Sequence, residues 1–516
     1  MKKQLLIVFL GLMIATSLMA QTGEMEVKIG YVITDEEDNQ AVNQETFNTY
    51  EGPAFSLNNI YVGFENGLKF TGDMSNLSLN NRNMNMTLSK AGLTQINFYN
   101  NQYRRVYSAD GSNFTRREAT GLNGFVKPHK NLKLFGGFDY FDKDGTAQYS
   151  LDPVGESNEY EINYTQYSYN FGGQAYCPYG NMRYEFKQIT FQNDINFDLD
   201  RTADVHNLSF YSSLPSYRWF TLAAGYYNRS DEYDSTSLKL ATESFWGGGK
   251  IYLKNQWLID FRTILATTEH NDDLNEQDNK YYTVAVGKTF KRMAGFRVGY
   301  ELRNAENDTR KTTADGYMIS GWYNYLGKLY LKGRYSFISS TVDEGDILIG
   351  ETERSRHMIS AKYQDTQWGS LSAKLEKRIK KYDDIDTEVD YTSASGALAL
   401  KTKFGKFVAS YKYNFGEYYN RSEDLGFEFS DHIVCGGLYP IAYHGLDLYV
   451  GATYYTTFRD LEMEKLSLDA KIGWEFIPMH RIEGRYQMYT YDDFFVINDT
   501  YTANNFEINF IKELKF

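Results

Sequence analysis

Seven histidines and two cysteines are the residues on which metal, redox or nucleophilic chemistry would have to rest. His129, His206, His270, His357, His432, His444 and His480 are dispersed, and none forms the i, i+2 or i, i+4 pair that would aim two imidazoles at one metal. No CxxCH occurs, so the chain does not attach a c-type haem itself. Cys177 falls in the turn Tyr176–Cys177–Pro178–Tyr179–Gly180 and Cys435 in a strand; an oxidising envelope permits a disulfide, but nothing in their placement predicts one. No GxSxG elbow presents a serine nucleophile. The acidic pairs Asp231–Glu232, Asp272–Asp273 and Asp383–Asp384 do not follow the EF-hand spacing, and a solvated acidic rim is the simpler reading. The expectation is a chain that is not an enzyme and binds no metal or cofactor of its own.

A second set of residues has a different spacing. In Arg481–Met488 the polar positions are Arg481, Glu483, Arg485 and Gln487, every second residue. In Leu329–Phe337, Leu329, Leu331, Gly333, Tyr335 and Phe337 oppose Tyr330, Lys332, Arg334 and Ser336. Asp447 lies opposite the face of Leu446, Leu448 and Val450, and Arg297, Glu301 and Arg303 share one face, as do Lys374 and Glu376. Period two is the signature of strands with one oily and one wet face. A charge facing lipid at mid-membrane costs about 2–4 kcal/mol, so these rows are expected to face a lumen that carries both signs.

The elements that would position them are legible along the chain. Aromatics make up 16% of it, with 45 Tyr, 42 Gly and only 7 Pro, a composition that suits strands with aromatic girdles. The net charge of −13 argues against nucleic acid as a partner. Lys2 and Lys3, the apolar run Leu5 to Met13, and Ala20 before Gln21 read as a signal peptide over 1–20, leaving 21–516 as one domain. From Glu24 onward, alternating segments are separated by two kinds of break. Short ones include Asn66–Gly67, the strongest two-residue hairpin signal, with Ala91–Gly92, Tyr325 to Lys328 and Ile477 to His480. Long acidic or Asn-rich ones include Arg104 to Arg117, Asn304 to Asp315, Ser339 to Arg356, Lys380 to Tyr391 and Arg459 to Lys465. The fold class is all-β, a transmembrane antiparallel up-and-down β-barrel of about 26 strands, with turns periplasmic and loops extracellular. An even count puts both termini on the periplasmic side. Only a few residues separate the signal cut from the first strand, so no plug domain is expected.

The C-terminus carries a further signal. Phe506, Ile508 and Phe510 alternate with Asn505, Glu507 and Asn509; the pattern slips at Ile511 and Lys512, then Leu514 and Phe516 resume it. This ending resembles the one by which the barrel-assembly machinery recognises bacterial outer-membrane barrels, with Asn509 at its polar position and Leu514 and Phe516 at its apolar ones. Outer-membrane lipid and that machinery are therefore expected partners.

Three consecutive segments, Val205–His206–Asn207–Leu208–Ser209–Phe210, Leu214–Pro215–Ser216–Tyr217–Arg218 and Ala223–Ala224–Gly225–Tyr226–Tyr227–Asn228–Arg229, resemble the repeated hairpin of MtrB/PioB-type outer-membrane barrels. The resemblance covers most of the chain and implies a structural sheath holding a multihaem c-type cytochrome for electron transfer across the outer membrane, with haem on that partner alone. The alternative is a general diffusion porin passing small solutes. A porin calls for an inward-folded constriction loop, for which Lys143 to Glu159 or Ser339 to Arg356 could serve.

Overall fold

The computed structural model describes residues 22–37, 51–79, 81–106, 114–149, 158–213, 219–236, 238–270, 276–291, 293–307, 310–344, 351–383, 386–422, 424–441, 443–460, 462–493 and 501–516. The expected signal peptide lies outside them. So do 150–157 and 345–350, the middles of the two candidate constriction loops.

Twenty-six strands run through the described residues. They are β1 (Thr22–Glu37), β2 (Gly52–Gly63), β3 (Leu68–Ser75), β4 (Asn83–Lys90), β5 (Thr94–Val106), β6 (Phe114–His129) and β7 (Leu132–Tyr149). Next come β8 (Asn158–Cys177), β9 (Gly180–Asn193), β10 (Arg201–Ser213), β11 (Phe220–Tyr233), β12 (Lys239–Tyr252), β13 (Trp257–His270) and β14 (Gln277–Phe290). These are followed by β15 (Ala294–Asn307), β16 (Arg310–Tyr325), β17 (Leu329–Glu344), β18 (Glu353–Asp365), β19 (Gly369–Tyr382) and β20 (Thr387–Thr402). The last are β21 (Gly405–Asn420), β22 (Leu425–Pro440), β23 (Leu446–Arg459), β24 (Met463–Ile477), β25 (His480–Asp493) and β26 (Tyr501–Lys515).

Every strand pairs antiparallel with its sequence neighbours, and β1 closes the ring on β26 from Glu24↔Lys515 to Glu37↔Thr502. Closure removes the two sheet edges that an open array would leave unpaired. At the Asn66–Gly67 hairpin, Gly67 takes φ +78° and the Asn66 side chain accepts from the Leu68 amide at 2.9 Å, the chemistry such a turn demands.

The strands are longer than the alternation suggested. Most of Asn304–Asp315 is ladder, since β15 runs to Asn307 and β16 starts at Arg310, with Glu306 opposite Lys311. Lys380–Tyr391 behaves likewise, with Lys381 opposite Glu388. At these strand ends polar residues occupy both faces, so the hydrophobic period disappears while backbone pairing continues. The pattern that marks a strand inside a membrane is silent outside it.

One region departs from regularity. β3 and β4 have eight residues each, short of the roughly 9–11 that a tilted spanning strand needs. A bulge interrupts the β2–β3 register between Leu57 and Ile60, where Asn59 takes φ +52° and its amide donates to Asp73 Oδ1 at 2.8 Å. Ile60, Val62, Met74, Met84 and Met86 form a buried cluster on the apolar face here. Elsewhere that face is open, as at Ile359, 67% exposed.

Candidate functional site: the charged face of the wall

Residues directly opposed across a ladder share a face, so the register traces one surface around the ring. Arg297 pairs with Ser320, Ser320 with Arg334, Arg334 with Met358, and Met358 with Glu376. Glu376 pairs with Ser393, Ser393 with Asn414, Asn414 with Asp431 and Asp431 with Thr457, which shares its face with Asp447 on β23. Asp447 pairs with Gly473, Gly473 with Glu483, Glu483 with Asn509, and Asn509 with Gly30 on β1. All eleven charged positions singled out in the sequence (Arg297, Glu301, Arg303, Lys332, Arg334, Lys374, Glu376, Asp447, Arg481, Glu483 and Arg485) fall on this one face. The opposite face carries exposed Val298, Tyr300, Ile319, Leu375, Leu448, Val450, Ile472 and Ile482.

The charged face is knitted by ion pairs. Arg481 Nη2 lies 2.8 Å from Asp447 and 3.3 Å from Glu483, and Lys471 Nζ lies 2.8 Å from Glu483. Arg485 holds Asp469 with two parallel bonds of 3.0 and 2.8 Å, the geometry that makes Arg–carboxylate pairs directional. Arg297 pairs with Asp260, and Arg303 with Glu301 at 3.1 Å. Glu376, with a side chain only 3% exposed, is gripped by Lys374, Arg378 and, at 2.8 Å, Arg356. Lys332 and Arg334 have no ion-pair partner among the described residues. Asp260, Asp469, Lys471, Arg356 and Arg378 belong to the same surface; the alternation that found their neighbours would have found them too.

The assembly-signal residues lie at the closing seam. Asn509 is buried, donates to Glu507 at 2.9 Å and leaves its Oδ1 unpaired, while Lys28 reaches the same Glu507 at 2.8 Å. Leu514 pairs with Met25. Phe516 exchanges two backbone hydrogen bonds with Gly23, of 2.7 and 3.0 Å, and its ring occupies the space that a Cβ at residue 23 would need. The apparent slip at Ile511–Lys512 is no irregularity of backbone: the β1–β26 register runs through it unbroken. Ile511 simply occupies the charged face between Lys28 and Arg481, where it is buried.

The rim where the long connections lie has its own pairs. Glu351 and Glu353 raise the ammonium pKa values of Lys380, at 3.1 Å, and Lys381, at 2.7 Å. The Thr267 hydroxyl donates to Asp278 across the β13–β14 hairpin at 2.6 Å and, as the leading influence, lowers that carboxyl's pKa.

No family model matches the chain, and no curated protein does. Among solved structures, the FrpB iron transporter from Neisseria meningitidis (F3-3 variant) superposes with a TM-score of 0.55 at 7% identity, over 96% of this chain and 82% of that one. The siderophore receptor PirA from Acinetobacter baumannii gives 0.50 at 8% identity, over 96% and 80%. At such identities the likeness is one of fold alone. The chain has the fold of the large β-barrels found in outer membranes: all-β, with 26 antiparallel strands closed into a ring. The MtrB/PioB-type resemblance is carried no further than this coarser class.

One expectation is corrected. The barrel was expected to have no plug domain, because little sequence separates the signal cut from β1. The likeness is instead to transporter and receptor barrels, and large outer-membrane transporter barrels have a plugged lumen. A short N-terminal run speaks only of a plug at that end of this stretch of chain. The absence of a plug is therefore no part of the fold assigned here.

Proposed function

We propose that the protein carries polar solutes across the bacterial outer membrane, with the charged face as the lining of its path. The observation behind this reading is the segregation of the two faces. Charged and amide side chains follow one register-linked surface, while exposed aliphatic and aromatic side chains follow the other. In a bilayer only the second can meet lipid, since each charge at the midplane costs about 2–4 kcal/mol. The charged face is also the more covered where it is tightest, at Asp260, Glu376, Glu483, Asn505 and Asn509, as expected where side chains converge on the concave side of a curved wall. The orientation that goes with this reading has the long connections extracellular and both termini periplasmic, with insertion by the barrel-assembly machinery.

A second reading follows from width. With 26 strands about 4.8 Å apart, tilted by about 40°, the ring is roughly 50 Å across, enough to admit a folded domain. A sheath around a multihaem cytochrome would use the same lining as a protein contact. The two readings separate on the purified barrel, stained for haem and reconstituted in a planar bilayer. Steady conductance from a colourless preparation supports passage. A haem-staining companion lost on reversing Arg481 and Arg485 to Glu supports the sheath and sinks passage as the main role.

A further inference from the structure

The charged face is not uniform. Around Arg481 the signs alternate, whereas across the middle of β17–β21 the one carboxylate among the described residues is Glu376. Lys332, Ser360, Lys374, Ser395 and Lys412 lie on a single register line that crosses five strands. The three lysines are two strands apart, roughly 10 Å, with a hydroxyl between each pair. Lys362 adjoins this line, opposite Tyr330 and Ser372. Together Lys362, Lys374 and Lys412, with Ser360, Ser372 and Ser395, line a hollow of about 540 Å³ in the wall.

We propose that this hollow is an oxyanion-binding site, taking the phosphate or sulfate groups of a solute on its way through the barrel. It deepens the passage reading and rests on it for the direction the face points. Lys332, Arg334, Lys362 and Lys412 are exposed and have no ion-pair partner among the described residues, so their charge is not spent within the wall. Glu376 acts differently: one carboxylate holds Lys374, Arg356 and Arg378 in place, leaving a surplus of two positive charges. The serine hydroxyls add donors that can turn to follow a tetrahedral anion. An ammonium is a point charge without a fixed fork, which suits anions of varied orientation rather than one bidentate partner. The acidity of the whole chain, −13, makes a local excess of this kind a selective feature against its surroundings.

The test uses the full-length barrel in detergent and inorganic pyrophosphate, titrated calorimetrically at low ionic strength. Pyrophosphate should bind, and the Lys362→Gln/Lys412→Gln double variant should bind it roughly tenfold more weakly, having lost two charge-assisted contacts. A charge-matched control, Lys187→Gln/Lys250→Gln on β9 and β12, should bind as the parent does. Lys362, Lys412 and Lys250 are exposed and Lys187 is half-buried, and heat-modifiable migration checks the folding of both doubles. Equal weakening in the two doubles, or no binding to the parent, overturns the site. Planar-bilayer recording separates this failure from failure of the passage reading. Conductance without pyrophosphate binding removes the site and leaves passage standing; lysine-dependent binding without conductance leaves the site and removes passage.

Discussion

Arg481 on β25 reaches past β24 to Asp447 on β23, at 2.8 Å, and the residue it crosses is Gly473. A Cβ at that position would fall against both the guanidinium and the carboxylate. The glycine therefore keeps a lane open for an ion pair that ties three strands together. Gly473→Ala and Asp447→Asn should each lower stability by about 0.2–1 kcal/mol, the range for a solvent-accessible pair. Because they remove the same contact, the double variant should cost no more than the larger single one. Denaturant unfolding of the refolded barrel in detergent measures this, and simple additivity would show that the glycine has no part in the pair.

Removing Phe516 should reduce the amount of heat-modifiable barrel in the outer membrane while leaving synthesis unchanged. The truncation takes away both backbone bonds to Gly23 and the ring that covers it. Unaltered barrel levels would separate the terminal aromatic from assembly.

Topology can be read with a membrane-impermeant maleimide. Cys177 is exposed beside the β8–β9 turn, which shares a side with the other short turns, and should stay unlabelled on intact cells. Ser422→Cys, between β21 and β22 on the other side, should label at once. The reverse pattern would invert the orientation.

The pH dependence of the rim has a definite sign. Asp278 has a depressed folded pKa, so its stabilising contribution is present above the unfolded value, about 3.9, and disappears as pH falls through the folded one. Thr267→Val should cost roughly 0.5 kcal/mol or less at pH 7, after allowing for solvent screening. The difference between variant and parent should shrink as pH falls below the unfolded value and through the lower folded one. A pH-independent difference would assign the effect to packing.

Much of the architecture was legible because membrane strands obey two constraints at once, pairing and partition. The charged rows could be assigned to one face from Arg481, Glu483 and Arg485 alone, since period two admits no other arrangement. What stayed hidden lay where partition relaxes. The strand extensions around Glu306 and Lys311 look like loop because both faces there are wet. The bulge at Asn59 and the short β3 and β4 are set by local register, which alternation does not report. Ile511 looked like a slip because an apolar residue on the polar face breaks the pattern without breaking the ladder. The offset of each ladder is not reported by alternation, so the lysines from Lys332 to Lys412, spread along the chain on β17, β19 and β21, could not be seen as one register line. The plug expectation failed for a different reason, since the length of a terminal run says nothing about what fills a ring.

The pairing of β1 with β26 also sets apart one ladder whose partners are far apart in sequence. Every other ladder joins neighbours in sequence, so twenty-five hairpin steps can form locally as the chain emerges. The remaining step joins Lys28 to Glu507, 479 residues away. As a flexible loop this closure would cost about 5 kcal/mol of chain entropy beyond the constant term. If the hairpins form first, the ends are carried together by the curvature of the growing sheet, and most of that cost has already been met. The rate at which the ring shuts is then set by how far the twist of the preceding strands has brought the first edge to the last, and any slack introduced at the short, bulged strands beside β1 would be felt as a delay in closure rather than as a loss of finished stability.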